Sequence, residues 1–378
     1  MKLLFGLTLV LLATGCSQSP SRHVEIADSD LVLSGKAVFG RPVEKFELPS
    51  EGLLDLDNDI ESYLSTISPG SAPDVRLKGL LGAFRQGDMQ FEYDADSTLP
   101  AIEAYHRKRG NCLTFTLLMV AMARQLGAQA YFNEVDVPPV WNQDEAEIFV
   151  VYRHVNMVSE HARGRRVIDF NLAAYDPIYK QQKLEDRVAF ALYYSNRGVE
   201  LMREGEERQA FLYLRKAIQL HPNRADLWSN LGAFYSHFNH LDEAEQSYLQ
   251  ALNLQKGNLV ANSNLERLYR STGREVLADG YADRVRYHRE RNPYYIYYQA
   301  RKAYENGKFK LAEKRLRRAI RADSSDHRFH FLLGLTRYQL GDVVSSRESF
   351  TEAFSLVNNL SVKNRYMNKL EFLMGAGE

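Results

Sequence analysis

The sequence has few cysteines, no surplus of charge of either sign, and none of the spacings typical of metal or phosphate sites. Two of its 378 residues are cysteine, and 48 acidic residues balance 48 basic ones. An even charge balance does not favour nucleic-acid binding. The lack of Cys-x-x-Cys and His-x-x-x-His spacings and of a glycine-rich phosphate loop argues against a zinc or nucleotide site. We therefore expect no metal, no cofactor and no nucleic-acid partner.

The N-terminus has the pattern of a signal peptide. Lys2 precedes an apolar stretch, Leu3–Leu12, which is shorter than the roughly 20 residues that cross a bilayer. The following Ala13-Thr14-Gly15-Cys16 resembles the cleavage box of bacterial lipoproteins, and Ser17 is similar to that family's outer-membrane sorting pattern. The resemblance implies a signal peptide over residues 1–15, acylation of Cys16 and a tether over residues 16–47. We expect an outer-membrane lipoprotein that faces the periplasm, held to the membrane by its lipid; an ordinary secretory signal is the alternative.

Acylation of Cys16 would leave Cys112 as the remaining thiol of a protein in an oxidising compartment, and no internal disulfide could form. A thiol retained there indicates reactivity, although a buried, inert cysteine is also possible. Cys112 follows Gly110-Asn111 and opens an apolar helical run, Leu113–Leu126. The N-terminus of a helix favours a thiolate, because the helix dipole and unpaired N–H groups stabilise negative charge.

The C-terminal half repeats every 34 residues, from about Ala191 to Leu360. Mostly small residues recur in three registers and turn residues recur in a fourth, which predicts five helical hairpins with close helix contacts. The registers are Gly198, Gly232, Glu266, Ala300 and Gly334; Ala210, Ala244, Ala278, Ala312 and Ser346; Ala217, Ala251, Val285, Ala319 and Ala353; and, at the turns, Gly205, Asn239, Gly273, Gly307 and Gly341. Glu266 and Val285 break the small-residue pattern, so looser packing is expected in the third hairpin.

This pattern resembles the tetratricopeptide repeat, most closely in the second hairpin. The matching residues there are Trp228, Leu231, Gly232, Tyr235, Ala244, Tyr248 and Ala251. The resemblance implies a superhelix over residues 191–360 whose first helices line a groove for a protein or peptide partner, followed by a helical cap over residues 361–378. The family's groove positions fall on Arg267, Arg270, Tyr294, Tyr297, Arg301, Tyr304 and Tyr338. The alternative is that these tyrosines form core between repeats.

The segment between the tether and the repeats, residues 48–186, places helical patterns before strand patterns and so predicts an α+β domain. Two strand-like segments carry His154 and Asp169. A hairpin with Ser159 opposite Gly164 would place His154 opposite Asp169, with Cβ atoms about 4.5–5.5 Å apart. A slip of one residue would turn Asp169 to the other face. His106 and His161 are alternative bases, but the sequence shows no orienting acid for either.

The Arg109-Gly110-Asn111-Cys112 motif, followed by His154 and Asp169, resembles the transglutaminase-like superfamily of papain-like folds. The resemblance implies that Cys112 is a nucleophile, His154 its base and Asp169 the orienting acid. We expect an α+β papain-like core followed by an all-α repeat superhelix. The favoured function is acyl transfer or hydrolysis at an amide bond of a recruited protein or peptide. The alternative is an adaptor with a catalytically silent N-terminal domain.

Overall fold

The computed structural model describes residues 29–86, 90–137, 153–161, 164–170, 179–357, 362–364 and 366–368. Two short helices, α1 (Ser29–Leu33) and α2 (Lys36–Phe39), and a 3-10 turn (Lys45–Glu47) come first. They lie against the repeats: the Tyr235 hydroxyl donates to the Val32 carbonyl at 2.7 Å, and Val32 is buried. Residues 29–47, which we expected to continue the tether, are therefore part of the folded body.

The α+β region follows. Its helices are α3 (Asn58–Thr66), α4 (Pro73–Gln86), α5 (Ala101–Arg107) and α6 (Cys112–Gln125). Its strands are β1 (Glu92–Tyr93), β2 (Arg109–Gly110), β3 (Gln129–Val135), β4 (His154–His161), β5 (Gly164–Ile168) and β6 (Gln181–Leu184). Helix α6 is buried from Cys112 to Ala123 and lies on the sheet, where Thr116 donates to the Val155 carbonyl at 3.0 Å. An α+β region is thus present, with its cysteine helix at the centre.

The four-stranded sheet is antiparallel with the order β5-β4-β3-β6, and β1 and β2 form a separate parallel pair. The predicted hairpin register was wrong by two residues, because His161, rather than Ser159, pairs with Gly164. Glu160 and His161 therefore belong to β4 and not to the turn. A shift of two residues keeps each side chain on its predicted face, since strand side chains alternate with period two. Asp169 consequently still faces the His154 side of the hairpin.

Ten helices form five antiparallel pairs at the expected period. They are α7 (Asp186–Arg203), α8 (Glu207–Leu220), α9 (Ala225–His237), α10 (Leu241–Leu254), α11 (Leu259–Ser271), α12 (Glu275–Arg291), α13 (Pro293–Glu305), α14 (Phe309–Ala322), α15 (His327–Gln339) and α16 (Val343–Leu356). Each turn within a pair contains a residue of positive φ at its predicted position, including Asn239 at 63°. The first helix starts at Asp186, five residues before the predicted boundary at 191. Within the predicted cap, residues 362–364 and 366–368 are helical, and Tyr366 stacks on Phe331 with ring centroids 3.7 Å apart.

One hydrophobic core runs from Val32 through the α+β region to Tyr281 in the third helical pair. The fourth and fifth pairs have two smaller clusters, centred on Leu316 and Phe329. The N-terminal half and the first repeats therefore share a core. The shared core ends in the third pair, where Glu266 replaces a small residue and makes an ion pair with Arg270. Among the described residues, no helix combines the length and apolar character that crossing a membrane requires.

Close contact between paired helices depends on the small residues of the first register. A Cβ atom on Gly232 would lie 2.6 Å from the Tyr248 ring, which is fully buried. We predict that Gly232→Ala lowers the free energy of unfolding by about 1–3 kcal/mol, because the core is overpacked. The matched control is Gly280→Ala in α12, where no atom lies within 4 Å of an added Cβ. Gly280→Ala should raise the free energy of unfolding by up to about 1 kcal/mol through helix propensity. Thermal unfolding followed by circular dichroism measures the stability of both variants. Equal changes in the two variants would contradict the prediction.

Candidate functional site

Cys112 is the first residue of α6, at the point where the short strand β2 turns into the buried helix. The Asn111 side chain caps this helix, and its Oδ1 accepts the Thr114 N–H at 3.0 Å. Gly110 allows the turn: its φ is 155°, and a Cβ atom there would lie 2.3 Å from Thr114 Cγ2 and 3.2 Å from the Ser97 carbonyl. The Gly110-Asn111-Cys112 sequence thus holds the thiol where the helix dipole and the first N–H groups stabilise an anion.

His154 and Asp169 form the predicted pair. His154 Nε2 lies 2.7 Å from Asp169 Oδ2, and the two side chains are 10% and 1% exposed. Asn156 donates to the same carboxylate oxygen at 2.9 Å. Asn133 on β3 then donates to Asn156 Oδ1 at 2.8 Å. A string of polar side chains across three adjoining segments therefore fixes the carboxylate and, through it, the imidazole ring.

Cys112 lies close enough to His154 to influence the pKa of the imidazole. Burial lowers the pKa of His154, but the hydrogen bonds with Asp169 and Cys112 and their negative charges outweigh burial and raise it to about 9. At neutral pH the site therefore favours an imidazolium beside the sulfur, which is the form that can give a proton to a leaving amine.

Tyr93 is a further side chain near the thiol, and no local signal in the sequence pointed to it. Pairing of Tyr93 with Gly110 brings β1 beside the start of α6, and the Tyr93 ring stacks on Phe170 with centroids 5.9 Å apart. Burial raises the pKa of Tyr93, and the neighbouring Cys112 adds to that rise. Tyr93 is 47% exposed, and it lies where solvent reaches the site.

Asn156 could have been found from the sequence, because a polar residue two positions after His154 lies on the same face of the strand. The alternative bases lie elsewhere. His106 has an acid partner, Asp57, at 2.6 Å, which the sequence did not predict, and both side chains are about one-third to one-half exposed. His161 is the last residue of β4. His154 is therefore the candidate base that lies beside Cys112. The predicted lipidation residue, Cys16, lies outside the described residues.

The predicted groove residues divide between packing and solvent. Tyr297 packs against Phe329 with centroids 5.1 Å apart, Tyr294 contacts the same ring at 5.6 Å, and Tyr304 contacts Phe309 at 5.4 Å. Arg270 and Arg301 are exposed and form ion pairs within the helices. Arg267 and Tyr338 are half-buried. Tyr294 and Tyr297 therefore pack between the fourth and fifth pairs, and the use of these residues in a groove remains a prediction.

The N-terminal half contacts first helices near both ends of the repeat array. Arg153, just before β4, donates to the Asp226 carboxylate at the start of α9 at 2.7 and 3.0 Å. At the far end, the Tyr179 hydroxyl accepts from Arg328 of α15 at 2.8 Å. Arg328 also lies over the ring of Tyr294, 5.6 Å from its centroid. One end of the predicted groove is therefore lined in part by a residue of the N-terminal half.

The described part of the chain contains no group of three or more His, Cys, Asp or Glu side chains that could hold a metal ion. The chemistry that the geometry offers is that of a thiol beside an imidazole, an oriented carboxylate and a phenol. The N–H of Cys112, in the first turn of α6, is one donor available to a developing oxyanion.

Two family models match the helical pairs. Both are described as tetratricopeptide repeat, and they cover residues 213–246 and 297–355. These matches, together with five helical pairs at a period of 34 residues, confirm that the C-terminal part of the chain is built of tetratricopeptide repeats.

The chain is also similar to an uncharacterised protein of Methanocaldococcus jannaschii, with 29% identity over 73 residues, which are 19% of this chain and 85% of that protein. Among solved structures, MamA of Desulfovibrio magneticus RS-1 is 17% identical over 46% of this chain and 96% of its own, with a TM-score of 0.26. PilF of Pseudomonas aeruginosa is 16% identical over 50% of this chain and 87% of its own, with a TM-score of 0.27. At such low TM-scores, neither fold nor function is inferred from these structures.

The hydrogen bond from His154 to Asp169 predicts a measurable change in titration. Asp169→Asn should lower the pKa of His154 from about 9, because the variant loses the charge and the ionic acceptor. Since the raised pKa stabilises the protonated ring, its contribution to folding is complete below about pH 6.5 and is lost as pH rises through about 9. Histidine NMR titration measures the shift, with His154→Gln to identify the signal.

The matched control is Asp57→Asn, which removes the carboxylate partner of His106. It should leave the His154 titration where it is in the parent protein. An unchanged His154 titration in Asp169→Asn would contradict the pairing.

Proposed function

We propose that this protein binds a protein or peptide partner through its tetratricopeptide repeats and carries out thiol-dependent acyl transfer or hydrolysis at an amide bond of that partner. Partner binding is supported by the family matches, since repeats of this kind form extended binding surfaces. The reaction is supported by one observation above all. Cys112, at a helix N-terminus, lies near enough to His154 to influence its pKa, and His154 Nε2 is 2.7 Å from a buried carboxylate. The arrangement agrees with the roles of nucleophile, base and orienting acid that the transglutaminase-like resemblance assigns to Cys112, His154 and Asp169.

In the proposed reaction the Cys112 thiolate attacks the carbonyl carbon of the amide, and a C–S bond forms. The C–N bond then breaks, and His154 gives its proton to the leaving amine. Water, or an amine in the case of acyl transfer, next attacks the thioester. His154 takes the proton of this second nucleophile, and the thiolate leaves. Asp169 and Asn156 hold the ring in place throughout, and Tyr93 and the Cys112 N–H are placed to donate to negative charge at the sulfur and the carbonyl oxygen.

A second candidate function is that of a silent adaptor, in which the repeats bind a partner and the N-terminal domain has no turnover. Two observations favour it. The family models match the repeats, and repeats of this kind form binding surfaces; Cys112 is only 9% exposed. A thiol that a substrate cannot reach would leave the α+β region as a platform for the first repeats, with which it shares a core.

The location of the protein is part of the proposal. The signal-peptide pattern and Cys16 support an outer-membrane lipoprotein facing the periplasm. Processing in the presence of globomycin is the test. Globomycin inhibits lipoprotein signal peptidase, the enzyme that would cleave the precursor immediately before an acylated Cys16. Cleavage that proceeds unchanged would contradict lipidation and would leave the thiol proposal as it stands.

Thiol reactivity separates the enzyme from the adaptor. We expect iodoacetamide to alkylate Cys112 readily below pH 8, and His154→Ala to slow that alkylation by about 10-fold or more at pH 7, because the imidazolium no longer stabilises the thiolate. Peptide mass spectrometry follows Cys112 separately from Cys16. His106→Ala is the matched control, since His106 pairs with Asp57, and its rate should equal that of the parent protein. Equal rates for His154→Ala and the parent would favour the adaptor.

Partner binding through the predicted groove is tested by charge reversal. Arg301→Glu alters an exposed residue of the first helix α13 that pairs with Glu305 at 3.4 Å. We expect it to reduce recovery of partners from a periplasmic extract by several-fold. Arg286→Glu is matched to it, because Arg286 is exposed on the second helix α12 and pairs with Asp283 three positions away. Full recovery with Arg301→Glu, or equal loss with both variants, would contradict the groove.

A further inference from the structure

Glu200 is a buried carboxylate on α7, the first helix of the first repeat, and the proposed reaction makes no use of it. It is 4% exposed. Burial raises its pKa to about 7, although hydrogen bonds from Thr98 and Arg197 act in the opposite direction. A buried carboxylate of this kind lowers the free energy of unfolding. Groups with perturbed pKa values cluster at functional sites, which makes Glu200 a candidate for a functional role.

The contacts of Glu200 lead to the thiol. The Thr98 hydroxyl donates to Glu200 Oε1 at 2.5 Å, and Asn111 Nδ2 donates to the same hydroxyl oxygen at 2.7 Å. Asn111 Oδ1 in turn accepts the Thr114 N–H and so caps α6. Thr98 is 1% exposed and Asn111 is 6% exposed. Three hydrogen bonds therefore connect the first repeat to the helix that begins with Cys112.

The direction of these bonds is fixed by Glu200. A hydroxyl has one hydrogen. Because Thr98 gives that hydrogen to the carboxylate, its oxygen can only accept from Asn111. This forces the NH₂ group of Asn111 toward Thr98 and its oxygen toward the Thr114 N–H, which is the orientation that caps a helix. With the amide reversed, two donors would face each other at the start of α6.

The ionised form of Glu200 is the one that fits. Arg197, one turn earlier on α7, donates to the second oxygen at 3.2 Å and also contacts Glu204 at 3.1 Å. Both oxygens of Glu200 therefore act as acceptors, and from the N-terminal half the contacting group is the neutral Thr98. A proton on Oε1 would reverse the bond to Thr98, and a proton on Oε2 would point at the Arg197 cation.

We propose that Glu200 is a positioning residue for the thiol centre: through Thr98 it orients Asn111, which caps α6 and sets the place of the Cys112 sulfur. The first repeat then contributes a residue to the thiol site, to which the repeats would bring their protein or peptide partner. The inference rests on the proposed function, because it assumes that the position and ionisation of Cys112 matter for its reactivity.

The test is a double-mutant cycle on the full chain. Glu200→Leu and Thr98→Val each remove one member of the relay with little change of volume. We expect each to slow alkylation of Cys112 by iodoacetamide at pH 8 about 5- to 10-fold, which corresponds to loss of a helix cap. Glu200→Leu with Thr98→Val together should be no slower than the slower single variant, since both break the same chain. If the double variant were slowed by the product of the two single effects, the proposal would be overturned. Single variants that react at the parent rate would overturn it as well.

The conservative variant Glu200→Gln separates a positioning role from a purely structural one, because only a positioning role predicts a change in the pH profile of the alkylation rate. Glu200→Gln keeps an oxygen for Thr98 but cannot ionise. Its alkylation rate should stay within about 2-fold of the parent above pH 8, where Cys112 is served by the same cap. Its rate profile should also lack the inflection near pH 7 that ionisation of Glu200 gives the parent. A parent profile without that inflection, or a Gln variant as slow as Leu, would overturn the proposal.

Tyr193→Phe is the matched structural control. Tyr193 is also a buried, hydrogen-bonded side chain of α7, but its hydroxyl donates to Glu51 and not toward α6. It should lose thermal stability and keep the parent alkylation rate; an equal loss of rate would overturn the relay. The proposed function fails in a different way, because in that case His154→Ala would leave alkylation unchanged. A slowed His154→Ala with unaffected Glu200 variants refutes the relay alone.

Discussion

The constraint on which the rest of the structure depends is the burial of α6 from Cys112 to Ala123. A helix that starts inside the protein has little water for its first N–H groups, so a capping partner within the fold stabilises its start. Asn111 meets that need for Thr114, Thr98 orients Asn111, and Glu200 orients Thr98. The same burial puts the Cys112 sulfur against β4 and brings it to His154. Capping of one helix thus ties the thiol to the sheet on one side and to the first repeat on the other.

Two sets of buried polar side chains near Cys112 are each linked by hydrogen bonds into a string. One string runs from His154 through Asp169 and Asn156 to Asn133, and the other runs from Asn111 through Thr98 to Glu200. Connected strings are the form in which buried polar groups are tolerated, because an unpartnered member would cost more than the hydrogen bond is worth. One string fixes the start of the helix that carries Cys112 and the other fixes His154, so together they restrict where the sulfur and the imidazole can lie.

Local signals in the sequence predicted the repeats and the residue types at the thiol. The 34-residue period is read directly from the spacing of small residues, and the hairpin kept His154 and Asp169 on one face because a two-residue error preserves the alternation of a strand. Asn156 was within reach of the same reasoning. Tyr93 and Glu200 were not, because their roles arise from contacts with distant segments: Glu200 meets Thr98 across 102 positions. The shared core was missed for the same reason, since periodicity indicates which face is buried and not what covers it.

Contacts between the N-terminal half and the first helices reach the first, second and fifth pairs. Thr98 bonds Glu200 of α7, Arg153 bonds Asp226 of α9, and Tyr179 bonds Arg328 of α15. In a repeat array each unit ordinarily touches only its neighbours, so the ends of the array can shift relative to each other. Here one region of the chain contacts both early and late repeats. A change in superhelical pitch would therefore strain these contacts, and one of them, at Arg153, directly precedes the strand that begins with His154.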